Sequence, residues 1–155
     1  MGMNEVLWLA NTIYGEAASE DYNTMHMVGS TIINRVRAKK AEFGFGIPEV
    51  CQKGYYAVKN QNTPYRNALE QNFTTKKAQN QYKQALAIAS GLYRGTIKPQ
   101  PGQFYLTAKE LKKTKMDLKL LNKVGKVGKY TVLSYAPPQE GSKPEGKKAN
   151  KKTKE

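Results

Sequence analysis

Two carboxylates four residues apart, Glu16 and Glu20, stand in the segment Tyr14-Gly15-Glu16-Ala17-Ala18-Ser19-Glu20-Asp21. On a continuous helix that spacing stacks both side chains on one face, about 5–6 Å apart at Cβ. Carboxylates so close oppose each other's ionisation, and one of them then keeps its proton toward neutral pH. A neutral carboxyl beside a charged one suits general-acid cleavage of a glycosidic bond. The competing reading makes Glu16 an ordinary surface residue in the last turn of a helix, and the local pattern alone does not separate the two. Other site chemistries are scarcer. One cysteine, Cys51, forbids an intrachain disulfide, and one histidine, His26, leaves no Cys/His zinc set and no metal site. No motif joins Cys51 to His26 as a nucleophilic pair, so Cys51 reads as core.

The elements that must position these residues are helical first. Val6, Leu7, Leu9, Ala10, Ile13, Tyr14 and Ala17 recur at helical spacing, which predicts a helix over 4–18 with Asn4 as its cap. Ser19-Glu20-Asp21 breaks it, and Asp21 is placed to cap a second helix over 22–38. Met25, Val28, Ile32 and Val36 share a face there, widened by Met27, Thr31 and Ile33. Residues 39–63 read as loop with one short helix near Pro48–Cys51. Thr63-Pro64 starts a helix over 64–72, and 75–93 forms another, closed by Gly95. The pattern then changes. Residues 103–107 and 130–135 have β character and can pair, with helical turns over 109–113 and 117–123 between them. The expected class is α+β: a mostly helical single domain with a small two-stranded β element, and no internal repeat.

Charge and length set the remaining bounds. The 155 residues fit one domain over 1–138, followed by a Lys-rich tail over 139–155 with Ala149 as its one apolar residue. Such a composition offers nothing to offset the entropy of ordering, so the tail is expected to be disordered. It carries six Lys and three Glu, leaving +11 of the total +14 on residues 1–138. That excess draws the protein to polyanions: nucleic acid, an anionic membrane surface or bacterial wall. No helix-turn-helix glycine, zinc spacing or RNP-like aromatic motif favours a specific nucleic acid. No segment approaches the roughly 20 apolar residues that span a bilayer, and the first residues do not read as a signal peptide. The expectation is a chain made in the cytoplasm that acts at the wall after release, or a leaderless form of an exported protein.

In Leu9-Ala10-Asn11-Thr12-Ile13-Tyr14-Gly15-Glu16-Ala17 the sequence resembles the opening motif of the SleB/CwlJ cell-wall hydrolases, the spore cortex-lytic enzymes and their relatives. That motif is an apolar helix, Y-G-E-A, a second Glu four residues on, and then a helix closing in an I-x-N-R-V-like signature. Ile32-Ile33-Asn34-Arg35-Val36 stands at the expected distance. Ile47-Pro48-Glu49-Val50-Cys51, Ala85 through Gly95, Gly102-Gln103-Phe104-Tyr105 and Val127-Gly128-Lys129-Tyr130 are similar in order to later blocks, so the resemblance spans about residues 7–135. Two departures are plain: Ala18-Ser19 replaces the usual Arg-Gly, and Tyr130 replaces a late histidine.

The resemblance implies a lysozyme-like fold with Glu16 as catalytic acid at the base of a sugar cleft. It implies cleavage of the bond between N-acetylmuramic acid and N-acetylglucosamine in peptidoglycan glycan strands, as a lytic transglycosylase; separately, no cofactor and a monomer are expected. Glu20 then either holds Glu16 protonated or bonds a backbone N–H at the next helix start. Arg35 has a salt bridge to Glu20 open to it, and Asn34 a bond to a loop crossing above. Tyr55, Tyr56, Tyr65, Tyr105 and Tyr130 are candidates for stacking on sugars or for a place in a small core, with Tyr105 first as cleft wall. Trp8 reads as core. The lysines from Lys109 to Lys129 form either a solvated face or a dock for anionic wall polymer. A non-catalytic basic module, binding wall or nucleic acid, is the alternative to an enzyme.

Overall fold

The computed structural model describes residues 3–135, so the expected tail over 139–155 lies outside the described residues. The first helix, α1 (Glu5–Ala17), starts where Asn4 accepts a hydrogen bond from the Leu7 N–H at 2.9 Å. From Leu9 to Gly15 every residue is buried, so this helix is surrounded rather than amphipathic. Its interior polar groups are consequently paired: Tyr82 Oη donates to Asn11 Oδ1 at 2.6 Å, and Thr12 Oγ1 to the Trp8 carbonyl at 2.7 Å. Around it pack α2 (Tyr22–Ala38), α3 (Ile47–Gly54), α4 (Tyr56–Lys59), α5 (Thr63–Glu70) and α6 (Lys76–Arg94). Leu9, Ile13, Met25, Ile32, Val50 and Ile88 are all fully buried. Such aliphatic side chains stabilise the fold by about 1.5–3 kcal/mol each through transfer from water.

Helix starts and stops agree with the sequence expectations. Asp21 caps α2 by accepting from the Thr24 N–H, and Gly95 closes α6 in the left-handed region. Cys51 is buried in the core, and Trp8 is partly buried against it. The stretch expected to be mostly loop holds more helix than its pattern shows. Its apolar positions Ile47, Val50 and Cys51 mark a single turn, yet α3 continues to Gly54 and α4 follows directly. These short helices are fixed by packing on α1, not by periodicity of their own.

After α6 come β1 (Phe104–Thr107), α7 (Ala108–Lys113), a 3₁₀ turn at Leu118–Leu120, β2 (Leu121–Val127) and β3 (Tyr130–Tyr135). The α+β class holds, but the β element has three antiparallel strands in the order β1-β3-β2. The additional strand, β2, includes residues expected to be helical turn. A bulge at Val124, between Lys123 and Gly125, offsets the alternation that marks a strand. Leu121, Val124 and Val127 therefore recur every third residue, which imitates a helix. β1 and β3 pair in the register Tyr105↔Val132 and Thr107↔Tyr130. Among the described residues, no helix is long and apolar enough to cross a membrane.

Candidate active site

A cleft of about 540 Å³ opens where the end of α1 meets the α3–α4 junction on one side and β1, α7 and β3 on the other. Glu16 lies in it, one residue before α1 ends. Gly15 explains how the helix end reaches this place. A Cβ there would stand 2.7 Å from the Ala57 Cβ and 3.0 Å from the Tyr65 Cβ, so only glycine lets α1 approach α4 and α5 this closely. Asn62 ties the same junction: its Nδ2 donates to the Gly15 carbonyl at 3.0 Å, while its Oδ1 caps α5 by accepting from the Tyr65 N–H.

Both oxygens of the Glu16 carboxyl are held. Oε2 accepts the Ala57 backbone N–H at 2.8 Å, and Oε1 accepts a hydrogen bond from the Tyr105 hydroxyl. Burial, and then the charge of Glu16, push the Tyr105 phenol well above its ordinary range, so it stays neutral and donates. Tyr130 packs edge-on against Tyr105, with ring centroids 5.3 Å apart, and burial raises its phenol as well. Tyr56 stands at the rim, 66% exposed. Of the five candidate tyrosines, Tyr56, Tyr105 and Tyr130 therefore line the cleft with Glu16. Tyr55, which also borders it, and Tyr65 are each 1% exposed, core side chains with no face free for a sugar.

The other carboxylate does not join them. Since α1 ends at Ala17 and the chain turns, the four-residue spacing does not stack Glu20 on Glu16. Glu20 stands outside the cleft lining and faces Lys129, at 3.8 Å, in the turn between β2 and β3. It does not start the next helix either, because Asp21 does.

Asn34 and Arg35 work from α2 as anchors for the sheet. Asn34 Nδ2 donates to the Gln100 and Gly102 carbonyls, both at 2.7 Å, which is the expected bond to the crossing loop. The expected Arg35–Glu20 pair is absent. Arg35, 8% exposed, donates from Nε to the Gln103 carbonyl at 2.7 Å. Its guanidinium lies among the rings of Phe43, Tyr55 and Phe104, at 5.2, 4.7 and 4.9 Å. Among the described residues it meets no carboxylate within ion-pair distance, so π faces and a carbonyl carry the buried cation. A Cβ at Gly54 would overlap Arg35 Nη1, and glycine there lets α3 close over the guanidinium.

Cys51 and His26 do not meet. Burial pushes the Cys51 thiol up to about 12, and His26 bonds the Lys98 carbonyl and the Gln100 side chain. Three cleft groups escaped the sequence reading. Asn62 precedes Thr63-Pro64 in a recognisable cap position. Glu110, also in the lining, forms a capping box with Thr107, a legible T-x-x-E pattern whose position on the cleft is tertiary. The Ala57 N–H has no side-chain signal at all.

The fold is that of the SleB catalytic domain. The crystal structure of the catalytic domain of the Bacillus cereus SleB protein superposes with a TM-score of 0.54 at 21% identity, over 86% of this chain and 91% of that one. No family model and no curated protein matches the sequence.

Proposed function

We propose that this protein cleaves peptidoglycan glycan strands between N-acetylmuramic acid and N-acetylglucosamine, with Glu16 as the general acid. The observation that carries this reading is the placement of Glu16: a carboxyl with both oxygens fixed, inside a tyrosine-lined cleft. Its position in the Y-G-E-A motif and the likeness of fold to the SleB catalytic domain support it.

In the proposed reaction Glu16 gives its proton to the bridging oxygen as the bond from that oxygen to the anomeric carbon breaks. The leaving sugar keeps the electron pair as a hydroxyl, and positive charge spreads over the muramic ring in an oxocarbenium-like transition state. The C6 hydroxyl of the same muramic residue then bonds to the anomeric carbon and returns its proton to the Glu16 carboxylate. One carboxyl thus serves as acid and then base, and the product is a 1,6-anhydro end. Tyr56 and Tyr130 offer flat apolar faces for sugar rings along the cleft. The site of action is the wall, reached after release from the cytoplasm or by export.

Muropeptide release from purified sacculi, followed by mass spectrometry, tests this. Glu16→Gln keeps the side chain's shape and is expected to lower release by about 10³-fold, within the range general-acid catalysis supplies. Anhydro products identify transglycosylation, and reducing ends identify hydrolysis. Equal release by wild type and Glu16→Gln removes Glu16 from the chemistry and leaves a basic binding module.

A further inference from the structure

The placement of Tyr105 points to a different role from that of a wall on which sugars stack. Its ring keeps partial exposure to the cleft, but its hydroxyl end is enclosed and aimed at Glu16 Oε1. The register Tyr105↔Val132 puts this side chain on the face of the sheet that meets the helices, and Tyr130 holds the ring edge-on. On the other oxygen, the Ala57 N–H approaches from α4. The two donors come from opposite sides of the cleft, one from the sheet and one from the helical body.

We infer that Tyr105 is a positioning residue for proton transfer, and that its hydroxyl and the Ala57 N–H together form a cradle for the charge that Glu16 acquires. This rests on the general-acid reading of Glu16. As the proton leaves for the bridging oxygen, the carboxyl becomes a carboxylate, and both donors already point at its oxygens. Donors fixed in advance need no reorganisation at that moment, and their bonds strengthen as the carboxyl gains charge in the transition state. Tyr105 itself exchanges no electrons and remains a neutral phenol throughout. Its elevated proton affinity serves this role, since a phenolate could not donate. The sheet thereby contributes to the acid's strength without touching the substrate's reacting atoms.

Tyr105→Phe separates this role from stacking, because it removes the hydroxyl and keeps the flat ring. On soluble glycan strands, the expected result is a fall in kcat of roughly 10- to 100-fold, below the usual effect of losing one such donor because the Ala57 N–H remains. KM is expected to stay within about twofold, since a group that acts on charge in the transition state leaves ground-state binding alone. A merely structural tyrosine would lower the amount of folded enzyme and leave kcat per folded molecule unchanged. Tyr105→Leu, which removes ring and hydroxyl, would raise KM if stacking were the main role. Wild-type kcat in Tyr105→Phe, with Glu16→Gln still inactive, overturns the cradle alone. Full activity in both variants overturns the general-acid reading beneath it.

Discussion

The helical body, residues 3–101, and the sheet region, residues 102–135, are built on different terms although the cleft needs both. In the body most large apolar side chains are buried in a core around α1, and polar interior groups such as Asn11 and Thr31 are paired. In the sheet region Val132 and Leu133 are the fully buried large side chains among the described residues, and β2 is exposed along most of its length. Charge divides the same way: eight lysines against Glu110 and Asp117 in the sheet region, a net of +6. Having little core of its own, the sheet region is held to the body by polar anchors from α2, the amide of Asn34 and the guanidinium of Arg35, and by Val132, Phe104 and Tyr135 packed on the body's core. The body fixes where Glu16 stands and supplies one donor to its carboxyl, the Ala57 N–H, and the anchored sheet supplies the other, the Tyr105 hydroxyl.

That contrast can be broken first from the body's side. Gly15→Ala forces α1 away from α4 and α5, and overpacking of this kind costs about 1–3 kcal/mol. The melting temperature should fall by roughly 4–10 °C. The larger effect is on catalysis, because the Ala57 N–H moves relative to Glu16, and a misplacement of about 1 Å can lower the rate by about 10². Wild-type activity in a folded Gly15→Ala variant would mean that the close approach does not set the site. From the sheet's side, Asn34→Ala strips two carbonyls of their donor at the loop entering β1. The expected loss is about 2 kcal/mol of stability, read by urea denaturation, with faster hydrogen exchange confined to residues 100–107. Uniformly faster exchange through α1 and α6 would show the two regions to be one cooperative unit.

The smallest effect concerns charge. Replacing Lys123, Lys126 and Lys129 together by Gln should weaken low-salt binding to purified walls by roughly tenfold. The same change at Lys76, Lys77 and Lys83 in the body is expected to do less, and equal losses from both sets would make the sheet lysines a plain solvated face. Loss of the exposed Glu20–Lys129 pair in the first set costs stability less than about 1 kcal/mol.

Local rules made much of this molecule legible. Asn4, Asp21 and Gly95 punctuate helices through bonds or backbone angles that involve only neighbouring residues, so the sequence reading of α1, α2 and α6 holds. The motif around Gly15-Glu16 directed attention to the residue that stands in the cleft, and Asn34 could be read as a loop anchor because its place on α2 was fixed. The stacking of Glu20 on Glu16 was conditional on a continuous helix, and the chain leaves the helix at Ala17. Strand β2 was hidden because its bulge imposes a three-residue repeat, and pairing with β3 outweighs the weak β preference of its Lys and Gly residues.

What the sequence determined by itself is the set of local decisions: where helices begin and end, which faces are apolar, which carboxyl is an exceptional candidate, and the excess of positive charge. The tertiary structure alone decided which groups surround that carboxyl. Ala57 and Tyr105 lie 41 and 89 residues from Glu16, and one of them contributes only a backbone N–H. Contacts over such distances arise from packing α4 against α1 and from anchoring β1 to α2. Neither leaves a periodicity in the chain, because each depends on surfaces that exist only once the helices have assembled.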